Sequence, residues 1–352
     1  MRILVINPGS TSTKLAVYED NTPVWLSGAH HPSSELVGFQ SIAEQYDYRM
    51  AFIRKRLSDG NVPIKFDAII ARGGLTKPLE GGVYKVNEKM KHDLLHAQME
   101  HACNLGGLIA SKLAAECGCE AYMADPAVID ELADEARYTG IPEIKRISLF
   151  HALNSKAVSR QYAAAQGKNY EDLNIIVAHL GGGISVSAHK QGRVVDVNNA
   201  LNGEGPFSTE RAGTVPAGQL VDLCFSGKYS IKQIKRMISG GGGLLAYTGT
   251  NDMITITREA EEGEEPYCSV LNAMLYTIAK QIGAMHIALG GKTDAIILTG
   301  GISHSKYCTD ILANRVSFLA PVVVMPGENE IESLAYNARE VLAGRIVAKE
   351  YV

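Results

Sequence analysis

The sequence predicts an α/β fold built from two related halves. Strand-like and helical runs alternate along all 352 residues, and one local arrangement occurs twice. An apolar strand, a turn of small residues and a second strand occupy residues 3–18 and again residues 175–188, with Gly9 and Gly181 in equivalent places. A similarity repeated after about half the chain indicates two structurally related units, each opening with a β-hairpin.

The first half continues with a mixture of short strands and helices. Residues 68–71 and 121–123 are typical of short buried strands, and residues 88–116 are predicted to form a long helical region. Asp125 and Pro126 predict a helix start, with Asp as the N-cap, and that helix is expected to end at Gly140. This alternation favours mixed sheets.

The second half is predicted to contain more helix. Residues 150–166 and 266–289 are expected to be long helices, and Ser230 is expected to cap a short helix that ends near Gly240. Strands are predicted at residues 294–299 and 322–325. The last helix is predicted over residues 329–349.

Composition excludes several functional classes. Hydrophobic residues make up 46% and charged residues 20% of the chain, as in ordinary globular proteins. A net charge of -4 and the absence of long basic runs argue against nucleic-acid binding. The apolar runs are too short for a membrane span, and the scattered cysteines are typical of reduced thiols, so a cytoplasmic protein without membrane partners is expected.

The two hairpin turns carry groups suited to anions. Asn7, Ser10, Ser12 and Lys14 surround the first turn, and three glycines, Gly181 to Gly183, form the second. Small residues allow the backbone to approach a ligand, hydroxyls donate hydrogen bonds, and lysine is a point charge suited to phosphate. Two such turns, one in each half, predict a bound phosphate chain.

Eight short segments follow one another along nearly the whole chain: VINPGSTSTK, ARGGLTKPLEGG, HACNLG, ADPAVID, FHALNSKA, AHLGGGISVSAH, NNALNGEGPFSTERAGT and LTGGISHS. Together they resemble the acetokinase family, and within it the butyrate kinases. This family belongs to the superfamily of acetate and sugar kinases, Hsp70 and actin. The resemblance implies two ribonuclease-H-like (actin-like ATPase) domains, residues 1–148 with 331–352 and residues 149–330, and an active-site cleft between them.

The resemblance implies reversible, in-line transfer of a phosphoryl group from ATP to a short carboxylate, which gives ADP and an acyl phosphate. Butyrate or a branched relative is the expected acid. Because a carboxylate is already ionised at neutral pH, with a pKa of roughly 4, the reaction needs no general base. It needs positive charge and hydrogen-bond donors around the transferring group.

Six residues match the catalytic positions of the family. Arg72 would neutralise the acyl carboxylate, and Arg211 would contact the transferring phosphoryl group. Histidines would donate hydrogen bonds near the reacting centre, and an acidic residue would organise Mg²⁺ and its waters. The histidines are His101, His151 and His179, and the acidic residue is Asp125.

The resemblance also implies the nucleotide and metal sites. ATP is the expected co-substrate and Mg²⁺ the expected cofactor, with Asn7 and Glu330 as the metal-linked residues; Glu328 and Glu332 remain alternatives to Glu330. The residues expected to bind the nucleotide are Asn7, Ser10, Ser12, Lys14, Gly181, Gly182, Gly183, Asp252, Gly300 and Gly301.

Two alternatives remain open. The first is an acetate or propionate kinase, although Gly73 and Gly74 beside the substrate arginine are expected to leave room for a longer acyl chain. The second is a non-metabolic actin-like or Hsp70-like ATPase switch. The expected partners are ATP or ADP and a short-chain carboxylate or its acyl phosphate, and a homo-oligomer is expected.

Overall fold

The computed structural model describes residues 1–97 and 100–352. They form two compact units, which are called unit 1 (residues 1–129 and 329–352) and unit 2 (residues 130–328). The domain boundaries expected from the sequence, at 148/149 and 330/331, stay a prediction.

The strands and helices follow the chain in regular alternation. The strands are β1 (Arg2–Pro8), β2 (Ser12–Glu19), β3 (Thr22–His30), β4 (Ala68–Arg72), β5 (Val83–Lys85), β6 (Glu120–Ala124), β7 (Asn174–Leu180), β8 (Ile184–Lys190), β9 (Arg193–Val197), β10 (Ala295–Thr299) and β11 (Val322–Val324). The helices are α1 (Ser33–Leu36), α2 (Tyr46–Asp59), α3 (Glu88–Leu95), α4 (Asn104–Cys117), α5 (Ala152–Ala165), α6 (Ala217–Phe225), α7 (Ile231–Ile238), α8 (Gly243–Thr248), α9 (Met253–Glu261), α10 (Tyr267–Ala288), α11 (Lys306–Val316) and α12 (Glu330–Leu342).

The described residues of unit 1 form a six-stranded sheet in the order β3-β2-β1-β4-β6-β5. Strands β1, β4 and β6 run parallel, with Ile6 opposite Ala71 and Arg72 opposite Ala124. Their side chains are almost entirely apolar and buried, as is usual for parallel strands. The carboxyl ends of these strands therefore share one edge of the sheet, and the residues that follow them come close together.

The described residues of unit 2 form a five-stranded sheet in the order β11-β10-β7-β8-β9. Alternate residues of β7 pack into two different apolar clusters because successive side chains of a strand point to opposite faces. Ile176 contacts a cluster that includes Met274 of α10. Ile175 belongs to a second cluster with Val158 of α5. Helices thus cover both faces of this sheet.

The internal similarity predicted from the sequence is confirmed by the two topologies. In unit 1, the antiparallel strands β3, β2 and β1 are followed by the parallel strands β4 and β6. In unit 2, β9, β8 and β7 are followed in the same way by β10 and β11. Each unit therefore places a hairpin turn beside the carboxyl end of a parallel strand.

The prediction of a helix from Pro126 to Gly140 is wrong. Asp125 has a φ of 38°, and its carboxylate accepts a hydrogen bond from the backbone N–H of Gly82 (2.8 Å) instead of capping a helix. The segment contains only a short 3₁₀ turn, Asp134–Arg137. Asp125 therefore bonds the loop at Gly82 and does not cap a helix.

Two further helix predictions need correction. The region predicted as one helix over 88–116 contains α3 and α4, with a non-helical stretch that includes residues 100–103; residues 98 and 99 lie outside the described residues. The last helix ends at Leu342, since Gly344 adopts a φ of 70°. The chain then returns along β5, where the backbone N–H of Lys85 donates to the carbonyl of Lys349 (3.0 Å).

The remaining elements predicted for unit 2 are confirmed. The helices α5, α7 and α10 and the strands β10 and β11 lie where the sequence predicts them. Ser230 caps α7 in a reciprocal capping box with Gln233. Among the residues the structure describes, no helix combines the length and apolar character that a membrane span requires.

A buried ion pair in unit 2 gives a test of the fold. Glu131 and Lys156 are 5% and 3% exposed and lie 3.0 Å apart. We expect Lys156→Met to lower the free energy of unfolding by about 3–5 kcal/mol, because it removes the Lys156 cation from the buried Glu131 carboxylate. Urea unfolding measures the change.

The control is an exposed pair on α11. Asp310→Asn removes the partner of Lys306, whose side chain is 85% exposed, and should change the stability by less than about 0.5 kcal/mol. Equally small decreases in the free energy of unfolding of both variants would contradict a structural role for the buried pair.

Candidate active site

Glu330 brings together the ends of two strands in unit 1. Its Oε2 atom accepts a hydrogen bond from Asn7 Nδ2 (2.7 Å) and another from Arg72 Nη1 (3.1 Å). Asn7 lies near the end of β1, Arg72 ends β4, and Glu330 is the first residue of α12. Three residues predicted from the sequence as site residues therefore meet at one carboxylate, which is 8% exposed.

Asp125 lies at the same edge of the sheet. It follows β6 directly, and its neighbour Ala124 is paired with Arg72 in the adjacent strand. Its side chain is 1% exposed, and it holds the loop at Gly82 through the hydrogen bond described above. The structure thus places Asp125 beside Arg72, although not as a helix cap.

His101 is oriented toward the first hairpin turn. Its Nε2 lies 3.2 Å from Ser10 Oγ, and its Nδ1 accepts the backbone N–H of Cys103 (3.2 Å). Because Nδ1 is an acceptor, the neutral ring carries its proton on Nε2 and donates to Ser10. Burial raises the pKa of the Cys103 thiol to about 11, so this cysteine stays protonated.

Arg49 supports the first hairpin turn, and the sequence analysis missed it. The side chain is completely buried and donates to the backbone carbonyls of Gly9 and Ser10 (both 3.0 Å) and to Thr13 Oγ1 (3.2 Å). Burial lowers the pKa of the guanidinium, and no ion pair of Arg49 with a carboxylate is found among the described residues. The signal in the sequence is its helical spacing of four from Ile53 on the apolar face of α2.

The other side chains of the first turn differ in accessibility. Lys14 is exposed and lies opposite Asn7 in the β1–β2 pairing, whereas Ser12 is half-buried. Both positions border the turn held by Arg49. Their contact with a nucleotide stays a prediction.

The space expected beside Arg72 is not available. A Cβ atom added to Gly73 would collide with Pro126, and one added to Gly74 would lie 2.7 Å from Asn104 Cα. Both positions therefore require glycine, because neighbouring atoms of the protein occupy the space that a side chain would need. The explanation of acyl-chain size from Gly73 and Gly74 is wrong.

Two predicted histidines are stacked in unit 2. The ring centroids of His151 and His179 are 3.7 Å apart, and the ring planes differ by 8°. His151 precedes α5, and its Nδ1 lies 3.0 Å from Ser185 Oγ. His179 lies in β7, and its Nδ1 lies 2.8 Å from Asn154 Oδ1.

Arg211 lies against the glycine turn beside these histidines. Its Nη1 donates to the carbonyl of Ala200 (2.6 Å), and its Nε is buried without a hydrogen-bond partner among the described residues. A Cβ atom added to Gly183 would overlap the guanidinium, which explains why this position is glycine. Burial lowers the pKa of Arg211, and no ion pair of Arg211 is found in the described part of the chain. Such an arginine favours an anionic ligand.

The other two glycines of this turn are less confined. No heavy atom would lie within 4 Å of a Cβ atom added to Gly182, whose carbonyl accepts a hydrogen bond from Ser208 Oγ (2.7 Å). Gly181 closes the turn by donating its N–H to the carbonyl of Gly183 (3.2 Å). The backbone of the turn is therefore accessible at Gly182.

A cavity of about 400 Å³ lies between α9 and the start of α11 in unit 2. Gly301 is part of its lining. Asp252 instead caps α9 by accepting the backbone N–H groups of Ile254 and Thr255 (both 3.2 Å). Other residues of the lining are Met253, Thr257, Arg258, Ile302 and Tyr307.

Gly300 has a structural role next to this cavity. Its φ of 89° and the close carbonyl of Leu180 both exclude a side chain. Its N–H donates to the carbonyl of Gly327 (3.0 Å), and Gly327 returns a hydrogen bond of 3.1 Å.

Residues 134–325 match the acetokinase family. The chain is also 64% identical over 351 residues to a "Probable butyrate kinase" of Phocaeicola vulgatus, covering 100% of this chain and 99% of that protein. This chain belongs to the acetokinase family. It is 51% identical over 352 residues to "Butyrate kinase 2" of Clostridium acetobutylicum, covering 99% of both chains.

Solved structures support the same fold. The chain resembles the crystal structure of acetate kinase from Porphyromonas gingivalis with a TM-score of 0.81, covering 97% of this chain and 99% of that chain. The identity is 20%, so this likeness concerns the fold alone. The predicted fold class, α/β with actin-like ATPase domains, is confirmed.

The contact between Gly183 and Arg211 gives a test of this acetokinase site. Gly183→Ala would displace the guanidinium and should lower kcat/KM for phosphoryl transfer about ten-fold or more if Arg211 contacts the transferring group as the sequence predicts. Steady-state kinetics measures the loss, and circular dichroism checks that the variant is folded.

The neighbouring glycine is the matched comparison. Gly182→Ala adds the same methyl group where no heavy atom lies within 4 Å. Its kcat/KM should therefore fall less than that of Gly183→Ala. Equal losses in the two variants would contradict a specific effect through Arg211.

Proposed function

We propose that this chain is an ATP-dependent kinase that phosphorylates butyrate, or a branched relative, to the acyl phosphate in a reversible reaction. The observation that carries the proposal is the arrangement of Arg211, His151 and His179 around the glycine turn. It combines a buried cation that lacks an ion-pair partner in the described part of the chain with two aromatic donors. The relatives at 64% and 51% identity are named as butyrate kinases, which supports butyrate as the acid that is phosphorylated.

The proposed chemistry depends on binding charge and aligning reactants. The acceptor carboxylate and the ATP phosphates repel each other, so cationic groups must hold both. Arg72 is proposed for the carboxylate. Its guanidinium has five N–H donors, of which one bonds Glu330, so further donors remain for a substrate.

Arg211 and the histidines are proposed for the transferring phosphoryl group. Their hydrogen bonds would strengthen as charge develops on the equatorial oxygens, which lowers the barrier. His101 and Ser10 are proposed to extend this set of donors from the first hairpin turn.

The oxygen donors around Glu330 fit Mg²⁺. Asn7 Oδ1 is buried without a hydrogen-bond partner among the described residues, and it belongs to the side chain that bonds the Glu330 carboxylate. Within the described residues, no group of three or more His, Cys, Asp or Glu side chains could hold a metal ion. Mg²⁺ typically takes one or two carboxylates and keeps several waters, so Glu330 and Asn7, with Asp125 nearby, would suffice. When bound, the ion would neutralise phosphate charge.

The cavity lined by Gly301 is proposed for the adenosine of ATP. Its volume of about 400 Å³ lies in the usual range for small-molecule sites. Apolar side chains such as Met253 and Ile302 suit the base, and the lining also contains the charged residues Arg258 and Glu261. The phosphate chain is assigned to Gly181, Gly182 and Gly183.

A homo-oligomer remains part of the proposal. Helix α6 contains no buried residue, and Val221 and Phe225 on it are 54% and 86% exposed. Apolar exposure of this kind is typical of a protein interface. A cytoplasmic location remains a prediction.

A hydroxamate assay with a panel of acids tests the function. Purified protein with MgATP is given acetate, propionate, butyrate or isobutyrate, and acyl phosphate is trapped as the hydroxamate. We expect product with every acid that fits and the highest kcat/KM with butyrate or isobutyrate.

The alternatives give different results in the same assay. The highest kcat/KM with acetate or propionate would support an acetate or propionate kinase. Slow ATP hydrolysis that no carboxylate changes, without hydroxamate, would contradict the kinase and support an ATPase switch.

A further inference from the structure

Asn154 links His179 to the backbone at the end of unit 2. Its side chain is 1% exposed and lies in the first turn of α5. Its Oδ1 is 2.8 Å from His179 Nδ1, and its Nδ2 donates to the carbonyls of Glu328 (2.7 Å) and Gly327 (3.4 Å). None of the roles assigned above includes this residue.

These contacts fix the orientation of the amide. A backbone carbonyl can only accept hydrogen bonds, so the two carbonyls must face the NH₂ group of Asn154. The amide oxygen therefore faces His179. Since this oxygen is also only an acceptor, Nδ1 of the imidazole must carry a hydrogen.

The tautomer of neutral His179 follows from that hydrogen. A neutral imidazole has one N–H and one lone pair, so a proton on Nδ1 leaves the lone pair on Nε2. A lone pair directed at an anionic phosphoryl oxygen would be repelled. A second proton on Nε2 would instead give a charge-assisted hydrogen bond.

The contact of His151 with Ser185 differs in kind from the contact of His179 with Asn154. Its Nδ1 lies 3.0 Å from the hydroxyl of Ser185, which can donate or accept. This contact allows either tautomer of His151. The two stacked histidines are therefore inequivalent, although their rings are almost parallel.

The groups around His179 make its charge depend on the ligand. Its partners in the neighbouring strands are Ser185 in β8 and Thr299 in β10, which do not titrate in this range. His151 is stacked on the ring, and Arg211 lies against the same glycine turn. Burial and this cation both disfavour a charged ring, so an imidazolium at His179 requires the anionic phosphoryl group beside it.

We propose that Asn154 is a positioning residue that keeps a proton on Nδ1 of His179, so that His179 meets the phosphoryl group through Nε2 as an imidazolium. The proposal rests on the proposed function, because it describes how one donor of that site is held. Asn154 accepts the Nδ1–H bond in both protonation states. The ring thus needs no reorientation when Nε2 gains its proton.

Nitrogen NMR of ¹⁵N-histidine-labelled protein tests the tautomer without substrate. The His179 signals are assigned by their loss in His179→Gln, and the spectrum is recorded at a pH where free histidine is neutral. We expect the neutral ring to carry its proton on Nδ1. A proton on Nε2 in the wild-type protein would overturn the proposal.

Two variants separate the contact with His179 from the contact with the backbone. Asn154→Asp keeps an acceptor for Nδ1–H but loses the donor to Gly327 and Glu328, whereas Asn154→Leu loses both. We expect Asn154→Asp to retain the Nδ1–H tautomer and Asn154→Leu to lose the preference. A retained preference in Asn154→Leu would overturn the role of Asn154.

Kinetics shows whether the tautomer matters for the reaction. Asn154→Leu should lower kcat about ten-fold or more, with KM for ATP and butyrate within about three-fold of wild type, because a donor used in the transition state is lost. Asn154→Asp should retain more of kcat than Asn154→Leu. Equal losses of kcat would overturn the proposal, because they would show that the hydrogen bonds of Asn154 to Gly327 and Glu328 account for the effect. Failure of the acid panel would reject the kinase function while the NMR result would still stand.

Discussion

The carboxylate of Glu330 holds the site of unit 1 together through its hydrogen bonds to Asn7 and Arg72. Burying a carboxylate is costly unless hydrogen bonds or cations compensate for lost hydration. Here one donor comes from β1, the other from β4, and the carboxylate from the first turn of α12, where the helix dipole favours negative charge. The interaction therefore fixes how the C-terminal helix meets the carboxyl ends of the parallel strands.

The arginines of the candidate site differ in how their charge is used. Arg72 bonds a carboxylate, while Arg49 donates its hydrogen bonds to backbone carbonyls, a side-chain amide and a hydroxyl. Arg211 bonds one carbonyl and is buried against the glycine turn. Because Arg49 and Arg211 lack ion-pair partners among the described residues, positive charge remains near the hairpin turn of each unit.

Much of the fold could be predicted from the sequence, since the repeated hairpin pattern and the apolar strands depend on local residue types. The repeat predicted a β-hairpin at the start of each half, and the β1–β2 and β7–β8 pairs confirm it. The helix after Asp125 could not be predicted correctly, because the carboxylate of Asp125 bonds Gly82, which lies 43 positions away in the chain. Similarly, the glycines beside Arg72 suggested space that Pro126 and Asn104 in fact fill.

Candidate site residues can be named from the sequence where motifs carry the chemistry, as with Glu330 and His179, and their roles stay predictions. Arg49 and Asn154 were missed because their importance lies in what they contact, and a lone arginine or asparagine in a helix has no distinctive pattern. Burial and hydrogen-bond partners reveal them only in three dimensions. The supporting residues of a site are therefore less accessible to sequence analysis than the residues that touch the ligand.

The most direct measurement is the Mg²⁺ dependence of butyryl phosphate formation by Glu330→Gln. Glutamine keeps the size and one acceptor oxygen of Glu330 and removes its charge. We expect kcat/KM to fall about 10²-fold or more and half-maximal activity to require more Mg²⁺, since the carboxylate holds Arg72 and is the charged ligand proposed for the metal. Wild-type activity with unchanged Mg²⁺ dependence would contradict the central role of this carboxylate.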